Sequence, residues 1–237
     1  MSQQIMNKYF IALLLVIGLT STQATETTTS TTTEAQAEAP QTARDLLFEA
    51  VAADYLKLLD YELKESKELV ERVLDDDRFQ NIRSEILVNK KITLRNYVEL
   101  VKEKNKKKQP SREYKAARFF YIFGKSLLYT DFLDIVARLE PTMSRYDCWI
   151  EEDFMSFGLE TFIDTLNQKR AKLVRDSVRR IDDYVNGLPS EQQRKAVAQK
   201  LTDFSLKLKE ATEVQDKMAV LKDFLRDYYL ETPVEMS

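Results

Sequence analysis

The sequence predicts an all-α protein, a multi-helix globular bundle that follows a signal peptide and a disordered Thr-rich leader. Three observations indicate this class. Apolar residues recur at three- and four-residue steps along most of the chain, as one face of a helix requires. Alternating polar and apolar runs bounded by glycine-rich turns, the mark of strands, are nearly absent. Four Gly and five Pro among 237 residues are few for a turn-rich β protein.

Residues 1–24 have the pattern of a secretory signal peptide. Lys8 precedes an apolar run at 9–19, which is shorter than the ~20 residues that span a membrane. Thr22 and Ala24 are small residues at positions −3 and −1 of a cleavage site after Ala24. Charges interrupt every later apolar segment, so we expect no transmembrane anchor. The sequence therefore predicts a secreted, extracellular protein, and an uncleaved signal anchor is the alternative.

Residues 25–42 form a leader rich in threonine, with seven Thr among the nine residues 25–33. It contains no large apolar residue, so burial cannot offset the entropy that ordering would remove. The density of hydroxyl side chains fits O-glycosylation, and a plain flexible spacer is the alternative. The candidate glycosylation sites are Thr27, Thr28, Thr29, Thr31, Thr32 and Thr33.

The remaining residues, 43–237, predict one helical domain with candidate halves at 43–140 and 141–232. A chain of this size buries roughly 70% of its unfolded surface, so its core needs no disulfides. A long coiled coil is the competing architecture. The aromatic content and the changes of apolar register favour a globular bundle, whose helices share wider apolar stripes.

Three helices are predicted before Pro110. The first begins at Ala43 and carries apolar residues at helical spacing. Asp77 is the candidate N-cap of a short second helix. The apolar residues on its face are Phe79, Ile82 and Ile86. The third helix ends in a basic run at 102–108, which is either a hydrated linker or a mobile site for acidic glycans or proteolysis.

Serine and proline mark the limits of the fourth helix. Ser111 is its candidate N-cap, and Pro141 ends it. Its stretch 119–128 is apolar on nearly all sides, as expected for a helix surrounded by others. A long helical pattern then extends from Ile150 to Val185.

The end of that long pattern has the clearest punctuation in the chain. We expect Gly187 to end the helix in the left-handed conformation and Pro189 to prevent its continuation. Ser190 and Gln193 have the spacing of a capping box for the next helix. The apolar pattern that follows fits one helix, or two helices with a restart at Thr212.

The composition of the chain excludes most kinds of catalytic site and metal site. The chain has no histidine, which excludes Ser-His-Asp and Cys-His sites, His-ligated zinc and His-held haem. No nucleophile elbow, P-loop or dinucleotide loop occurs, so we predict no enzymatic activity and no cofactor. Acidic clusters at 75–77 and 151–153 are interpreted as helix N-terminal residues that complement the helix dipole. A net charge of −3 gives no reason to expect nucleic-acid binding.

Cys148 is the single cysteine of the chain. In an oxidising compartment an odd cysteine can join two chains, so a homodimer through Cys148 or through helix faces is one hypothesis. A buried thiol that packs as a small apolar side chain is the other. The neighbours Trp149 and Ile150 favour burial.

Binding is the function class that remains. The aromatic residues of the fourth helix are candidates for lining an apolar pocket for a lipid or steroid, and ordinary core packing is the alternative. These candidates are Phe119, Phe120, Phe123, Leu127 and Phe132. The sequence therefore predicts a secreted, non-enzymatic binding protein for a hydrophobic small molecule. An extracellular interaction or signalling factor, which contacts other proteins through helix faces, is the alternative.

Residues 60–82 begin with DYEL and continue with ELVERVLDDDRFQNI. This segment resembles one repeat of the insect allergen-related family, to which the cockroach midgut allergens belong. The resemblance implies a secreted insect protein whose helices enclose lipid.

We expect the extracellular protein to begin at Thr25. Expression in a secreting cell line, followed by N-terminal sequencing of protein from the medium, measures this. An Ala24→Lys variant places a long charged side chain at position −1 and should block cleavage there. Wild-type protein that begins at Met1 would refute the assignment.

Overall fold

A computed structural model describes residues 42–81, 85–137 and 145–230, without the side chains of Ile86 and of residues 145–148. Within these ranges the chain forms nine helices and no strand, which confirms the all-α prediction. The helices are α1 (Ala43–Asp75), α2 (Asp77–Asn81), α3 (Glu85–Lys106), α4 (Lys115–Ala137), α5 (Arg145–Ser156), α6 (Leu159–Asn186), α7 (Ser190–Gln193), α8 (Ala196–Glu210) and α9 (Val214–Leu230). Among the described residues, none of these helices is long and apolar enough to cross a membrane.

The first helix begins at a capping box. Thr42 Oγ1 accepts a hydrogen bond from the Asp45 backbone N–H at 3.1 Å, and the Asp45 carboxylate accepts one from the Thr42 backbone N–H at 3.3 Å. These two bonds satisfy backbone donors that the start of a helix leaves open. Burial opposes ionisation of Asp45, but hydrogen bonds from Thr42 and Tyr228 keep the pKa of its carboxyl below the ordinary value.

Helix α1 lies at the centre of the bundle. It packs against α2, α3, α4, α5, α6 and α9. Each buried Leu or Val stabilises the fold by about 1.5–3 kcal/mol relative to an exposed one. The apolar side chains of α1 that are buried almost completely are Val51, Ala52, Tyr55, Leu59, Leu63, Val70 and Val73.

Aromatic contacts join α1 and α4 to neighbouring helices. The Phe48 ring of α1 stacks on two rings of α9, with centroids 4.4 Å from Phe224 and 4.2 Å from Tyr228. The fully buried Phe132 of α4 meets Phe162 of α6 edge-on at 6.1 Å. Such pairs contribute about 0.5–1.5 kcal/mol beyond the area that they bury.

Ile82, which the sequence analysis places on the second helix, lies outside the described residues, and Ile86 belongs to α3. The described part of the second helix is Asp77–Asn81. Asp76 caps it instead of Asp77, because Asp76 has the extended backbone of an N-cap and its carboxylate accepts from the Arg78 backbone N–H at 2.8 Å.

The fourth helix begins four residues after its predicted N-cap. Ser111 instead starts a turn, in which its carbonyl accepts from the Tyr114 backbone N–H at 3.2 Å. The Tyr114 carbonyl then accepts from Arg118 N–H at 3.0 Å, so the helical bonds begin there. The local turn therefore takes the place of the predicted serine cap.

The long helix predicted from Ile150 to Val185 is two helices. Gly158 separates α5 from α6 and has a φ of 98°. A residue with a Cβ pays a steric penalty in this left-handed region, whereas glycine does not. The apolar pattern continues on both sides of the break, which is why spacing alone predicted one helix.

The acidic clusters lie differently from the dipole interpretation. Asp77 is in the first turn of α2, as that interpretation requires, but Asp75 is the last residue of α1. Because α5 begins at Arg145, Asp153 falls in its second half. Asp153 is buried there and forms an ion pair with Arg78, which joins α5 to α2.

The boundary after α6 also differs in detail. Gly187 ends the helix, but with φ −75° and ψ −11°, so the left-handed prediction is wrong. Its N–H donates to the Asp183 carbonyl at 3.0 Å, as in a continuing helical turn. The capping box is absent because Ser190 is already the first residue of α7, and Gln193 Nε2 donates to the Leu188 carbonyl at 2.8 Å.

The C-terminal pattern forms two helices, α8 and α9, which pack against each other. Ala211 ends α8 with φ −58° and ψ 131°, an extended backbone that no helix continues through. This agrees with the alternative that placed a restart near Thr212.

A Gly158→Ala variant should lose about 1–2 kcal/mol of unfolding free energy, because the left-handed backbone penalises a Cβ. No atom lies within 4 Å of that Cβ position, so packing does not contribute. Gly158→Asn is the matched control and should lose less, because asparagine tolerates this backbone. Urea unfolding followed by circular dichroism measures both variants. Equal stability of wild type and Gly158→Ala would show that the penalty is absent.

Candidate functional site

A cleft lies between α3, α4 and α5. Its volume is about 580 Å³, and small-molecule sites generally measure roughly 300–1,000 Å³. The cleft between α1 and α6, of about 200 Å³, and that between α6, α8 and α9, of about 390 Å³, are smaller. Three helices that are separate in sequence thus form one concave surface of suitable size for a ligand.

The floor of this cleft is apolar. Leu94, Tyr97 and Ile150 line it and are almost fully buried in the protein. Ile135 is half-buried beside them, and Leu100 extends the apolar lining to the exposed edge. An apolar group that entered the cleft would remove hydrocarbon surface from water, which favours binding.

Polar side chains line the rest of the cleft. Asn89, Thr93 and Asn96 of α3 occupy exposed positions, and Asp131 and Asp134 lie on α4. Partial burial and the neighbouring Asp134 carboxylate raise the pKa of Asp131 above its ordinary value. Lys90 also lines the cleft, so amide groups, carboxylates and an ammonium group surround the apolar floor, which suits a molecule that is apolar at one end and polar at the other.

Tyr97 connects the cleft to the interior. Its hydroxyl lies 2.6 Å from Ser66 Oγ of α1 in a buried hydrogen bond. Ser66 has one hydroxyl proton and donates it to the Glu62 carbonyl at 2.6 Å, so Tyr97 is the donor to Ser66. Burial raises the pKa of Tyr97 far above its ordinary value, so its hydroxyl stays protonated and fixed in this bond.

A buried ion pair lies on the same helix as Ser66. Glu62 of α1 is 2% exposed, and its Oε1 accepts from Nε of Arg170 at 3.1 Å and from Nη2 at 2.7 Å. Burial raises the pKa of Glu62 above its ordinary value, although Arg170 opposes the rise. Burial likewise lowers the pKa of Lys222 on α9. Neither partner of the pair lines the clefts described above, so its geometry serves to hold α1 and α6 together.

Sequence reasoning missed these buried charges. Glu62 has a signal in the sequence, because it follows Leu59 by three residues and precedes Ser66 by four, on the apolar face of α1. Arg118 and Lys125 of α4 are also buried, and each pairs with a carboxylate of α1.

The predicted ligand-lining residues of α4 do not share one surface. The Phe119 ring lies 5.7 Å from Phe120 and 5.8 Å from Phe123, so these three form a cluster. Phe120 and Leu127 are 52% and 49% exposed, whereas Phe132 is fully buried. The three clefts described above are lined by other residues.

The other predicted sites fall outside the described residues. These include the cleavage site at Ala24 and the candidate threonines at 27–33. Cys148 belongs to α5, but its side chain is also outside the described part. Trp149 follows it and is half-buried, and Ile150 is the next residue and lines the cleft floor.

Comparisons with known proteins gave no match. No family model matches the chain, and no curated protein or solved structure matches it. The resemblance of residues 60–82 to the insect allergen-related repeat therefore stays a prediction.

Replacing Arg170 with Met should destabilise the protein by about 3–5 kcal/mol at neutral pH, because it leaves the Glu62 carboxylate buried and unpaired. The fold raises the pKa of Glu62, so protonation favours the folded state. The contribution of Glu62 to the unfolding free energy of Arg170→Met should accordingly be greatest below the unfolded pKa of the carboxyl. It should decline as pH rises through the folded pKa.

Urea unfolding at neutral and acidic pH measures this effect. The matched control is the double variant Glu62→Met with Arg170→Met, which removes both charges and should recover most of the lost stability. Wild-type stability of the single variant at neutral pH would contradict the role assigned to the pair.

Proposed function

We propose that this chain is a secreted, non-enzymatic binding protein that carries a hydrophobic small molecule, a lipid or steroid, between α3, α4 and α5. The observation that carries the proposal is the cleft of about 580 Å³ with its apolar floor. The signal pattern of residues 1–24 supports an extracellular place of action.

The polar side chains of the cleft support binding. Asp131 and Asp134 are three residues apart on one helix, so both lie on the same side of the cleft. Asn89 and Asn96 lie on the opposing helix α3. This arrangement suits hydrogen bonds to the polar end of a ligand whose apolar body rests on Leu94 and its neighbours.

A protein-binding function is the alternative. Exposed apolar side chains on the outer helix faces would serve it, among them Phe120 and Leu127 of α4 and Leu206 of α8. A factor of this kind needs no small molecule in the cleft. The two functions therefore differ in whether a lipid or steroid accompanies the purified protein.

A Thr93→Phe variant should lose at least about tenfold of the bound hydrophobic molecule, because a ring at this cleft-lining position occupies ligand volume. Thr93 is exposed, so the fold should keep its stability. The measurement is organic extraction of secreted protein followed by mass spectrometry, with reconstitution by a fluorescent fatty acid and a labelled sterol.

The matched control is Thr161→Phe, which places the same ring at an exposed position of α6. It should retain wild-type ligand content. Wild-type protein that carries no lipid or steroid and binds neither probe would overturn the carrier function and favour the protein-binding alternative.

A further inference from the structure

An apolar ridge lies on the outer side of α4. It consists of Phe120, Phe123 and Leu127, whose spacing of three and four residues places them on one side of the helix. Phe120 and Leu127 are about half exposed, and Phe123 is partly buried. The Phe123 ring stacks on Phe119, which packs against the core. The ridge is therefore packed against the bundle through Phe123, and its Phe120 and Leu127 side chains face solvent.

A lysine reaches this ridge from the neighbouring helix. The Lys104 ammonium rests on α4 at Gly124, where a Cβ would overlap it. Gly124 lies between Phe120 and Leu127 on the same side of the helix. Glycine inside a helix costs about 1 kcal/mol relative to alanine. Glycine at position 124 therefore lowers the stability of the helix, but it leaves space for the Lys104 ammonium beside the ridge.

Tyr121 of α4 contacts the basic segment that follows Lys104 in the chain. Its hydroxyl donates to the Lys107 carbonyl at 3.4 Å. Its ring lies 5.7 Å from Lys104 Nζ and 5.2 Å from Lys125 Nζ, within the range of cation–π attraction. The exposed side chains of Lys107 and Lys108 therefore extend from backbone that lies next to Tyr121 on α4.

The lysine cluster is defined as Lys104, Lys107 and Lys108, and its acidic neighbour Glu103 is paired with Lys106 while it also attracts Lys107. Across the described ranges no carboxylate forms an ion pair with these three, whereas Lys102 and Lys106 pair with glutamates. Burial, with the charges of Lys107 and Lys125, lowers the pKa of Lys104, as expected where positive potential accumulates.

We propose that the apolar ridge and the lysine cluster together form a docking surface for an anionic lipid bilayer. Aromatic and leucine side chains enter the boundary between headgroups and acyl chains, while lysines attract anionic headgroups. The ridge alone is too small for the ~800 Å² per partner that a stable protein interface buries. An acidic glycan would account for the lysines and leave the apolar ridge unexplained.

Co-sedimentation with lipid vesicles tests this proposal. The protein in every arm is residues 25–237, which the predicted cleavage leaves and which contain the whole compact unit 41–237. Wild type should bind vesicles that contain phosphatidylserine and should not bind vesicles of phosphatidylcholine alone. Added salt should weaken the binding, because it screens the headgroup charge.

Changing the lysine cluster to glutamine should weaken binding about 100-fold, since each lysine near an anionic surface is worth about fivefold. The variant combines Lys104→Gln, Lys107→Gln and Lys108→Gln. A matched triple variant changes Lys172 of α6, Lys207 of α8 and Lys195, the N-cap of α8, to glutamine and should bind like wild type.

Changing Phe120 and Leu127 to serine should weaken binding at least about tenfold, because the ridge loses its inserted apolar area. The matched control changes two exposed apolar residues of α8, Val197 and Leu206, to serine and should keep wild-type binding. Circular dichroism and urea unfolding show that each variant is folded.

Three results would overturn the docking surface. Wild type could fail to bind phosphatidylserine vesicles, or both variants could bind them as wild type does. The third result is that the surface binds another partner and no vesicles. This partner would be a second copy of the chain, seen as dimers in analytical ultracentrifugation, or heparin, bound through the lysines alone.

Discussion

The fold depends on the packing of α1 against its neighbours, which buries most of this helix and leaves one stripe exposed. Its 33 residues pack against six other helices, so a polar group on this helix needs a partner from a neighbouring element. Glu62 receives Arg170 from α6, and Ser66 receives Tyr97 from α3. Each bond fixes the rotation and axial position of one neighbour relative to α1. The central helix therefore sets the register of the bundle as well as its apolar core.

Apolar spacing predicted the fold class and the start of α1 at Ala43, because burial repeats along each helix and is visible in the sequence. It did not predict the break at Gly158, since one residue in the left-handed region redirects the axis without interrupting the pattern. Nor did residue type suffice at Ser111, where a turn competes with the cap. Local backbone geometry at single positions decided where helices end.

The cleft was harder to predict than the helices. Its floor combines Leu94, Ile135 and Ile150, and each of these has the ordinary spacing of a core residue within its own helix. The cleft is concave because of the way three helices pack together, and the sequence of one helix does not contain that information. The phenylalanine-rich stretch of α4 attracted the prediction because it is conspicuous in composition. Packing divides that stretch between the core, at Phe132, and the outer surface, at Phe120.

Trp149 gives the chain an internal optical probe. It is the single tryptophan of the sequence, is half-buried on α5, and directly precedes Ile150 of the cleft floor. Indole emission shifts in wavelength with the polarity around the ring. The tryptophan emission of the whole molecule therefore originates beside the cleft. A change in water content or packing at that one place is visible without any label.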